Sequence, residues 1–441
     1  MGDSKDGKPR LMEPRRDQVE WRAYDVDGLI PKDHRARILW DAVTKLDLAE
    51  FLDLVGAREH SVGRPALDPR MLLTLWLFAT SEGVGSARHL ARLCTRDHAY
   101  MWICGGLTPN HHSLADFRVE HGDKLDKLLT QILAALMAEK LLTLKRVAQD
   151  GIRVRANAGA ASFRRGASLA ESYEKAQAQV AALRKELETD PAASQDRERQ
   201  SDLRAAERRA TSLERAMKLI PKATEAHART KRSRSPSSKK PPSPTEPRVS
   251  TTDPEARVQK MGDGGFRPAF NLQFATDTET RLIVGVGITN RGVDSNQMPP
   301  MYDQVRRRLG VTPRDYLVDG GFASLAAIDY LEQQGTRVFA PLQKARNPKI
   351  DPHARKKEDT DHTARWRRRM KTPSAKKIYR ERGAVAETVH ADARRWRGLQ
   401  QLPCRGAEKG RAVALLHALT YNVMRASTIR DEAKALKALR K

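Results

Sequence analysis

The sequence contains few cysteines and no apolar run of membrane-spanning length. Its three cysteines, Cys94, Cys104 and Cys404, include no Cys-x-x-Cys pair, which argues against a disulfide framework and fits a reducing compartment. The longest strongly apolar run, "LLTLWLF" at residues 72–78, is far shorter than the roughly 20 residues that a membrane-spanning helix needs. The N-terminal stretch "MGDSKDGKPR" is charged and has no apolar signal-peptide segment. We therefore expect a cytoplasmic protein without a membrane partner.

Negative charge is also scarce relative to positive charge. Lysine and arginine number 81 against 55 aspartate and glutamate residues, which gives the 441-residue chain a net charge of +26. A chain this basic favours polyanionic partners, because binding releases their condensed counterions. Nucleic acid is favoured over an anionic membrane as that partner. The stretch "GDGG" at residues 262–265 is not followed by the Gly-Lys-Ser or Gly-Lys-Thr of a phosphate-binding loop, so no ATP is expected.

The pattern of apolar residues divides the chain into a helical part and a mixed α/β part. Apolar residues recur every three or four positions through residues 28–142, which predicts an all-helical N-terminal domain. Farther along, "RVAQDGIRVRA", "FNLQFATD" and "RLIVGVGITN" alternate in the manner of strands, and the short runs "YLVD" and "RVFAPL" follow between helical segments. Three strands followed by alternating helix and strand predict a mixed α/β sheet.

A helical insertion interrupts the predicted sheet. Apolar residues from Leu169 to Leu187, and again from Leu203 to Ile220, step by three and four positions, which is the heptad pattern of a coiled coil. The segment between the two runs contains a proline that permits a turn, so we expect an antiparallel helical hairpin over residues 167–228. We favour an insertion that packs on itself; dimerisation and contact along DNA are the alternatives.

These features give an expected order of segments, in which the hairpin and a linker split the α/β core in sequence. The segments are a flexible tail at 1–27, the helical domain at 28–142, the first part of the core at 143–166, the hairpin at 167–228, a disordered basic linker rich in proline and serine at 229–250, the remainder of the core at 251–427 and a basic tail at 428–441.

Three acidic residues are candidates for phosphodiester chemistry. Two Mg²⁺ ions can drive such cleavage at neutral pH, and Mg²⁺ prefers carboxylate ligands. Asp150 lies beside a glycine in the first predicted strand, and Asp319 follows the buried run "YLV", where open α/β sheets place ligands. Glu387 lies on a predicted helix that begins near Ile378, with Arg394 on the same face seven residues later. From these residues alone, turn roles for the aspartates and a solvated, ion-paired face for the helix stay open.

The order and surroundings of these acids resemble those of the DDE transposases of bacterial insertion sequences. Tyr379-x2-Arg382-x4-Glu387-x6-Arg394 is similar to their Tyr-Arg-Glu-Lys signature, with one extra residue before the glutamate and arginine in place of lysine. "DGIRVRANAGAASFRR" and "YLVDGGFAS" are similar to the two aspartate motifs of the branch usually numbered eleven-eighty-two. "GRPALDPRMLLTLWLFATSEGVGSARHLARLC" resembles the N-terminal domain of that branch, which implies that the helical domain at 28–142 serves DNA binding or assembly. Only the tails, the hairpin and the linker lie outside the resemblance.

This resemblance implies an RNase H-like core with a defined chemistry. Asp150, Asp319 and Glu387 would be the catalytic, metal-binding triad, with two Mg²⁺ ions, or Mn²⁺ in their place, at each site. The protein would bind double-stranded DNA at terminal inverted repeats, hydrolyse strands to free 3′-hydroxyl ends and join these ends to target DNA as a homo-oligomer. Because the signature is unevenly spaced, Glu381 and Asp392 remain rivals of Glu387.

Further residues of the same region are expected to contact DNA. The resemblance assigns Tyr379, Arg382 and Arg394 to phosphates near the cut. Trp366 and Trp396 lie in basic stretches, where an indole ring is a candidate for stacking on an unpaired base, with a solvated loop and an anchoring tryptophan as the alternative. Two other functions remain as alternatives: a non-catalytic DNA-binding protein derived from a transposase, and a nuclease on the same core.

Overall fold

A computed structural model describes residues 25–58, 64–189, 196–232, 246–343, 349 and 351–438. Most of the predicted N-terminal tail, most of the predicted linker and the last residues of the predicted C-terminal tail lie outside the described residues. Within the described ranges, no helix is both long enough and apolar enough to cross a membrane.

Helices form the N-terminal part of the chain, as the apolar periodicity predicts. They are α1 (Arg35–Thr44), α2 (Ala49–Leu52), α3 (Pro69–Ser81), α4 (Ala87–Leu93), α5 (His98–Cys104), α6 (His111–Glu120) and α7 (Gly122–Ala138). The sequence "DPR" determines where α3 begins, because the carboxylate of Asp68 accepts a hydrogen bond from the N–H of Arg70 at 2.7 Å.

The rest of the chain is built around a mixed sheet. The strands are β1 (Arg146–Arg155), β2 (Phe163–Arg164), β3 (Val249–Ser250), β4 (Arg257–Lys260), β5 (Phe266–Asp277), β6 (Ile283–Thr289), β7 (Asp315–Leu317) and β8 (Arg337–Phe339). β5 is antiparallel to β1 on one edge and to β4 and β6 on the other, while β1, β7 and β8 are parallel neighbours. The order β6-β5-β1-β7-β8 gives the predicted RNase H-like core, and β2 pairs with β3 in a separate two-stranded ribbon.

Helices lie between and after these strands. They are α8 (Gly166–Thr189), α9 (Arg197–Arg232), α10 (Met298–Leu309), α11 (Leu325–Gln333), α12 (Asp361–Lys371), α13 (Pro373–Ala391) and α14 (Ala407–Ala438), with a π-helical turn (Asp392–Trp396) after α13. α13 begins at Pro373, earlier than the start near Ile378 that the sequence predicts. The hydroxyl of Thr372 accepts the N–H of Ala375 at 3.2 Å and so caps the helix at this earlier point.

α8 and α9 form a hairpin that has a small apolar core of its own. Leu169 of α8 and Leu213 of α9 are both buried in this core, together with Val249 of the β2–β3 ribbon. Arg184, near the end of α8, forms an ion pair of 2.7 Å with Glu207 of α9, so the two helices run antiparallel. The two helices of the hairpin therefore pack against each other, and the β2–β3 ribbon contributes to the same small core.

The N-terminal helices share one apolar core with the sheet. α14 packs against α3, α6 and α7 and also against β6. Polar contacts cross the same junction: Nη2 of Arg308 on α10 donates to Oδ1 of Asp126 on α7 at 2.6 Å, and Nη2 of Arg411 on α14 lies 3.1 Å from Oδ2 of Asp126. The predicted boundary between residues 142 and 143 thus separates two segments that fold against each other.

His417 of α14 is buried in this shared core, and neither of its ring nitrogens has a hydrogen-bond partner among the described residues. Burial lowers the pKa of His417 to about 3, and the nearby Arg397 and His390 add to the effect. The unfolded chain takes up a proton at this residue below a pKa near 6.5, whereas the folded chain does not until about pH 3. Stability is therefore lost as the pH falls from about 6.5 towards 3.

We predict that His417→Leu weakens the pH dependence of the free energy of unfolding between about pH 4 and pH 6 by about 1 kcal/mol per pH unit. Leucine fills the same apolar site and takes up no proton. Urea unfolding at several pH values measures the slope, and His89→Leu, at an exposed position on α4, is the control with an unchanged slope. Equal slopes for the wild type and His417→Leu would refute this role of the residue.

Candidate active site

Asp150 lies in the middle of β1, a strand that pairs with β5 on one side and with β7 on the other. Its Oδ2 accepts a hydrogen bond from Nη1 of Arg382 on α13 at 3.0 Å, and its Oδ1 accepts the N–H of Gly151 at 2.9 Å. Burial raises the pKa of Asp150 above its ordinary value, and the ion pair with Arg382 opposes this rise. The strand therefore holds a partly desolvated carboxylate with one cationic partner.

Asp319 follows β7, the parallel neighbour of β1, at the carboxyl end of the strand. Its Oδ1 accepts the N–H of Gly321 at 2.7 Å. Burial is the main cause that raises the pKa of Asp319, and the negative charge of Asp150 raises it further. The sheet therefore brings Asp150, on β1, and Asp319, two residues after the end of β7, close enough for their charges to interact.

A third aspartate, Asp294, lies beside this pair, although no motif of the sequence identifies it. It stands between β6 and α10, and its Oδ1 accepts hydrogen bonds from Nδ2 of Asn271 at 2.7 Å and from Nε2 of Gln273 at 2.8 Å. Its negative charge adds to burial in raising the pKa of both Asp150 and Asp319. The stretch "FNLQF" nevertheless indicates a polar site on this strand. Its two polar residues, Asn271 and Gln273, stand two apart on an otherwise apolar strand and therefore share one face.

Two glycines make room for the three carboxylates. A Cβ atom at Gly151 would lie 2.6 Å from Oδ1 of Asn271 and 2.8 Å from Oδ1 of Asp294, which is closer than such atoms approach. A Cβ atom at Gly321 would lie 3.0 Å from Oδ1 of Asp319. A larger residue at either position would push these polar side chains away from the site.

α13 lies along β1 and brings arginines to it. Arg382 reaches Asp150 in the middle of the strand, and beyond α13 Nη2 of Arg394 donates to the carbonyl oxygen of Arg153 at 3.3 Å. Tyr379 is half-buried beside Arg382, whose guanidinium carbon lies 6.0 Å from the centre of the tyrosine ring. Two predicted phosphate contacts, Tyr379 and Arg382, thus stand next to the paired aspartates.

Glu387 lies on α13, and its side chain is exposed. Because Arg382 and Glu387 are five residues apart, they point about 140° away from each other around an ideal helix. Arg382, and not Glu387, therefore contacts Asp150. In the part of the chain that the structure describes, no three or more Asp, Glu, His or Cys side chains are arranged to hold a metal ion. The role of Glu387 as a ligand stays a prediction.

The two rivals of Glu387 are both engaged in ion pairs. Glu381 pairs with Arg146, at the start of β1, and Oδ2 of Asp392 lies 2.5 Å from Nε of Arg397. Glu387 has no ion pair with any of the described residues. Of the three acids of this region, it is the one whose charge has no arginine partner there.

The two candidate tryptophans have opposite environments. Trp366 of α12 is 4% exposed and packs in the shared core, whereas Trp396 at the end of the π-helical turn is 71% exposed. The burial of Trp366 corrects the suggestion that it stacks on a base, because protein atoms cover its ring. The helical period turns Trp366 inward while its neighbours Arg365 and Arg368 stay exposed, so a basic stretch of sequence hides an apolar face.

Two family models match the chain. The model described as Transposase domain (DUF772) matches residues 24–120, and the model described as Transposase DDE domain matches residues 191–423. The second match contains Asp319 and Glu387, and Asp150 precedes it. No curated protein and no solved structure matches the chain. Since the DDE model matches more than half of a chain that also has the RNase H-like sheet, this protein belongs to the DDE transposase family.

Proposed function

We propose that this transposase moves an insertion sequence of the branch numbered eleven-eighty-two, with Asp150 and Asp319 as ligands of two divalent metal ions. The observation that carries the proposal is that Asp150, on β1, and Asp319, just after the parallel neighbour β7, lie close enough for the charge of Asp150 to raise the pKa of Asp319. The protein binds terminal inverted repeats, hydrolyses DNA strands to free 3′-hydroxyl ends and transfers these ends to target DNA. It acts as a homo-oligomer, because two transposon ends are processed together.

The donor atoms of the site suit Mg²⁺, with Mn²⁺ as a substitute. Mg²⁺ prefers carboxylate oxygens and keeps several of its waters, so a few acidic residues are enough to bind it. Burial and the neighbouring negative charges raise the pKa of Asp150 and Asp319. A nearby cation offsets both the cost of burying these carboxylates in charged form and the repulsion between them. When bound, such a metal stabilises negative charge on the scissile phosphate and activates the attacking hydroxyl.

The chain's own cations and an exposed aromatic ring position the DNA. A guanidinium has five N–H donors, so Arg382 keeps donors for a phosphate oxygen while one of them contacts Asp150. Tyr379 stands beside Arg382, and the exposed Arg394 contacts the neighbouring phosphates of the DNA backbone. The exposed ring of Trp396 is available to stack on a base that is unpaired near the cut.

Glu387 is the proposed third metal ligand. It lies on α13 between Arg382 and Arg394, both of which reach β1. Because it precedes Arg394 by seven residues, it shares that arginine's side of an ideal helix. Unlike Glu381 and Asp392, it has no arginine partner among the described residues, which leaves its charge available to a cation.

We predict that Glu387→Gln lowers metal-dependent DNA cleavage at least about 100-fold, because a lost carboxylate ligand removes several kcal/mol of transition-state stabilisation. Glu381→Gln and Asp392→Asn remove the charges of two acids that pair with Arg146 and Arg397, and they should keep cleavage within about tenfold of the wild-type rate, because neither acid is proposed to hold a metal ion. Single-turnover cleavage at saturating DNA measures all three. Should Glu387→Gln cut normally while one of the other two variants fails, the third ligand is misassigned.

The overall function is tested with the wild-type protein, Mg²⁺ or Mn²⁺, and a duplex that carries the inverted repeats flanking its own gene. Transposition predicts cleavage at the repeat ends, followed by products joined to target DNA. Binding without metal-dependent cleavage would indicate a non-catalytic DNA-binding protein. Cleavage without joining would indicate a nuclease.

A further inference from the structure

A strongly basic cavity lies where the helical hairpin meets the core. It has a volume of 530 Å³ and is lined by four arginines from separate parts of the chain. Arg164 comes from β2, Arg208 and Arg209 come from α9, and Arg405 comes from the segment just before α14. The fold thus gathers guanidinium groups that are far apart in sequence.

The other groups that line this cavity are mostly hydroxyls. Ser172 of α8, Ser212 of α9 and Thr252 after β3 contribute hydroxyl groups, and none of the described residues that line the cavity is acidic. Hydroxyls donate hydrogen bonds to phosphate oxygens. Because no described residue of the lining is acidic, none of these residues offsets the positive charge of the arginines.

The four arginines have no carboxylate partner anywhere in the described ranges. Arg164 donates to the backbone carbonyl of Ala161, and Nε of Arg208 donates to the carbonyl of Arg204 at 3.1 Å. The side chains of Arg209 and Arg405 form no hydrogen bond and no ion pair with any described residue. Like charges held together in this way repel each other, so a polyanion is the partner that stabilises them.

The cavity is one end of a longer groove. A neighbouring cavity of 920 Å³ shares Arg208 and Arg405 with it and continues along α9 past Arg215 and Lys218. This second part also contains acidic residues, so the strongest positive potential lies where the four arginines meet. An extended groove of this kind suits a chain of phosphates better than a single small anion.

We propose that this groove binds the phosphodiester backbone of double-stranded DNA, which makes the hairpin a DNA-binding arm of the transposase. The inference rests on the proposed function for its DNA substrate. The planar guanidinium forms paired hydrogen bonds with phosphate oxygens, and the serine and threonine hydroxyls add further contacts. β2, the ribbon strand that carries Arg164, follows β1, the strand of Asp150, in sequence. A short segment of chain therefore joins the groove to the catalytic strand.

The test compares two charge-matched double variants in duplex-DNA binding over a range of salt concentrations. Arg209→Gln with Arg405→Gln removes two groove cations whose side chains form no hydrogen bond or ion pair with the described residues. Lys185→Gln with Arg197→Gln removes two exposed hairpin cations outside the groove. Each phosphate contact contributes about 0.9 to the slope of log affinity against log salt, so the groove variant should lose about 2 from the slope and the control should lose none.

Three outcomes would overturn the proposal. In the first, the wild type binds DNA but the groove variant keeps the salt slope of the wild type. In the second, the groove variant and the control variant lose the same amount of salt slope. In the third, inorganic phosphate raises the melting temperature of the wild type but not of the groove variant while DNA binding is unchanged, which would indicate a site for free phosphate. A wild type that binds no DNA would instead refute the proposed function itself. Arg209→Lys with Arg405→Lys keeps both charges and should keep the slope, which separates loss of charge from misfolding.

Discussion

Replacing Asp150 or Asp319 with asparagine should lower the rate of DNA cleavage at least about a thousand-fold. Asparagine has the size of aspartate and still accepts the N–H of Gly151 or Gly321, but it carries no negative charge to hold a metal ion. The expected loss corresponds to several kcal/mol of transition-state stabilisation, with each factor of ten worth about 1.4 kcal/mol. Single-turnover cleavage in Mg²⁺ and in Mn²⁺ measures the effect.

The same two variants should fold at least as stably as the wild type. Burial raises the pKa of Asp150 and of Asp319, so each charged form opposes folding above the ordinary pKa of aspartate, and the penalty disappears as the pH falls. A neutral asparagine removes this penalty at pH 7. Thermal unfolding and DNA binding therefore distinguish a catalytic loss from misfolding. Asp41→Asn, at an exposed position on α1, is the matched control, and wild-type cleavage by Asp319→Asn would contradict the assignment.

Asp126→Ala should destabilise the protein by about 3–5 kcal/mol, the range measured when one partner of a buried ion pair is removed. Asp126 neutralises Arg308, whose side chain is 2% exposed and which also donates to the backbone carbonyl of Asp126. Burial lowers the pKa of Arg308, and Asp126 is the charge that opposes this shift. Without Asp126, the buried guanidinium remains beside the second cation, Arg411. Urea unfolding measures the loss.

Two further variants show whether the effect comes from an unpaired buried charge. Asp123→Ala removes a carboxylate that also pairs with Arg411 but is 96% exposed, and it should change the free energy of unfolding by less than about 1 kcal/mol. Asp126→Ala combined with Arg308→Met should recover much of the lost stability, because no charge is left buried. Equal losses for Asp123→Ala and Asp126→Ala would show that burial does not determine the effect.

Local patterns of sequence predict much of the fold. Strand alternation identifies β1, β5 and β6, and the heptad spacing identifies the seam of the hairpin, where Leu169 and Leu213 are buried. The same patterns place Asp150 inside a strand and Asp319 at the end of another apolar run, and the structure shows that the strand of Asp150 is central in the sheet. These features depend on neighbouring residues in the chain, so a period of two or of three to four residues carries the information.

Contacts between distant segments are not visible in the sequence. Asp294 joins the candidate site because Asn271 and Gln273, on another element, donate to it. Trp366 is buried because α12 packs against the core, although its sequence neighbours are mostly basic. The ion pair between Asp126 and Arg308 likewise ties the N-terminal helices to the core. Such pairings follow from the tertiary packing, and a local pattern such as "FNLQF" does not show which distant residue its side chains meet.

Anomalous diffraction from crystals of the transposase grown with Mn²⁺ and terminal-repeat DNA would locate the metal ions directly. We predict Mn²⁺ bound to carboxylate oxygens of both Asp150 and Asp319, with Glu387 as a further ligand. Mn²⁺ held at other residues, with neither aspartate among its ligands, would show that these two carboxylates are not the metal site.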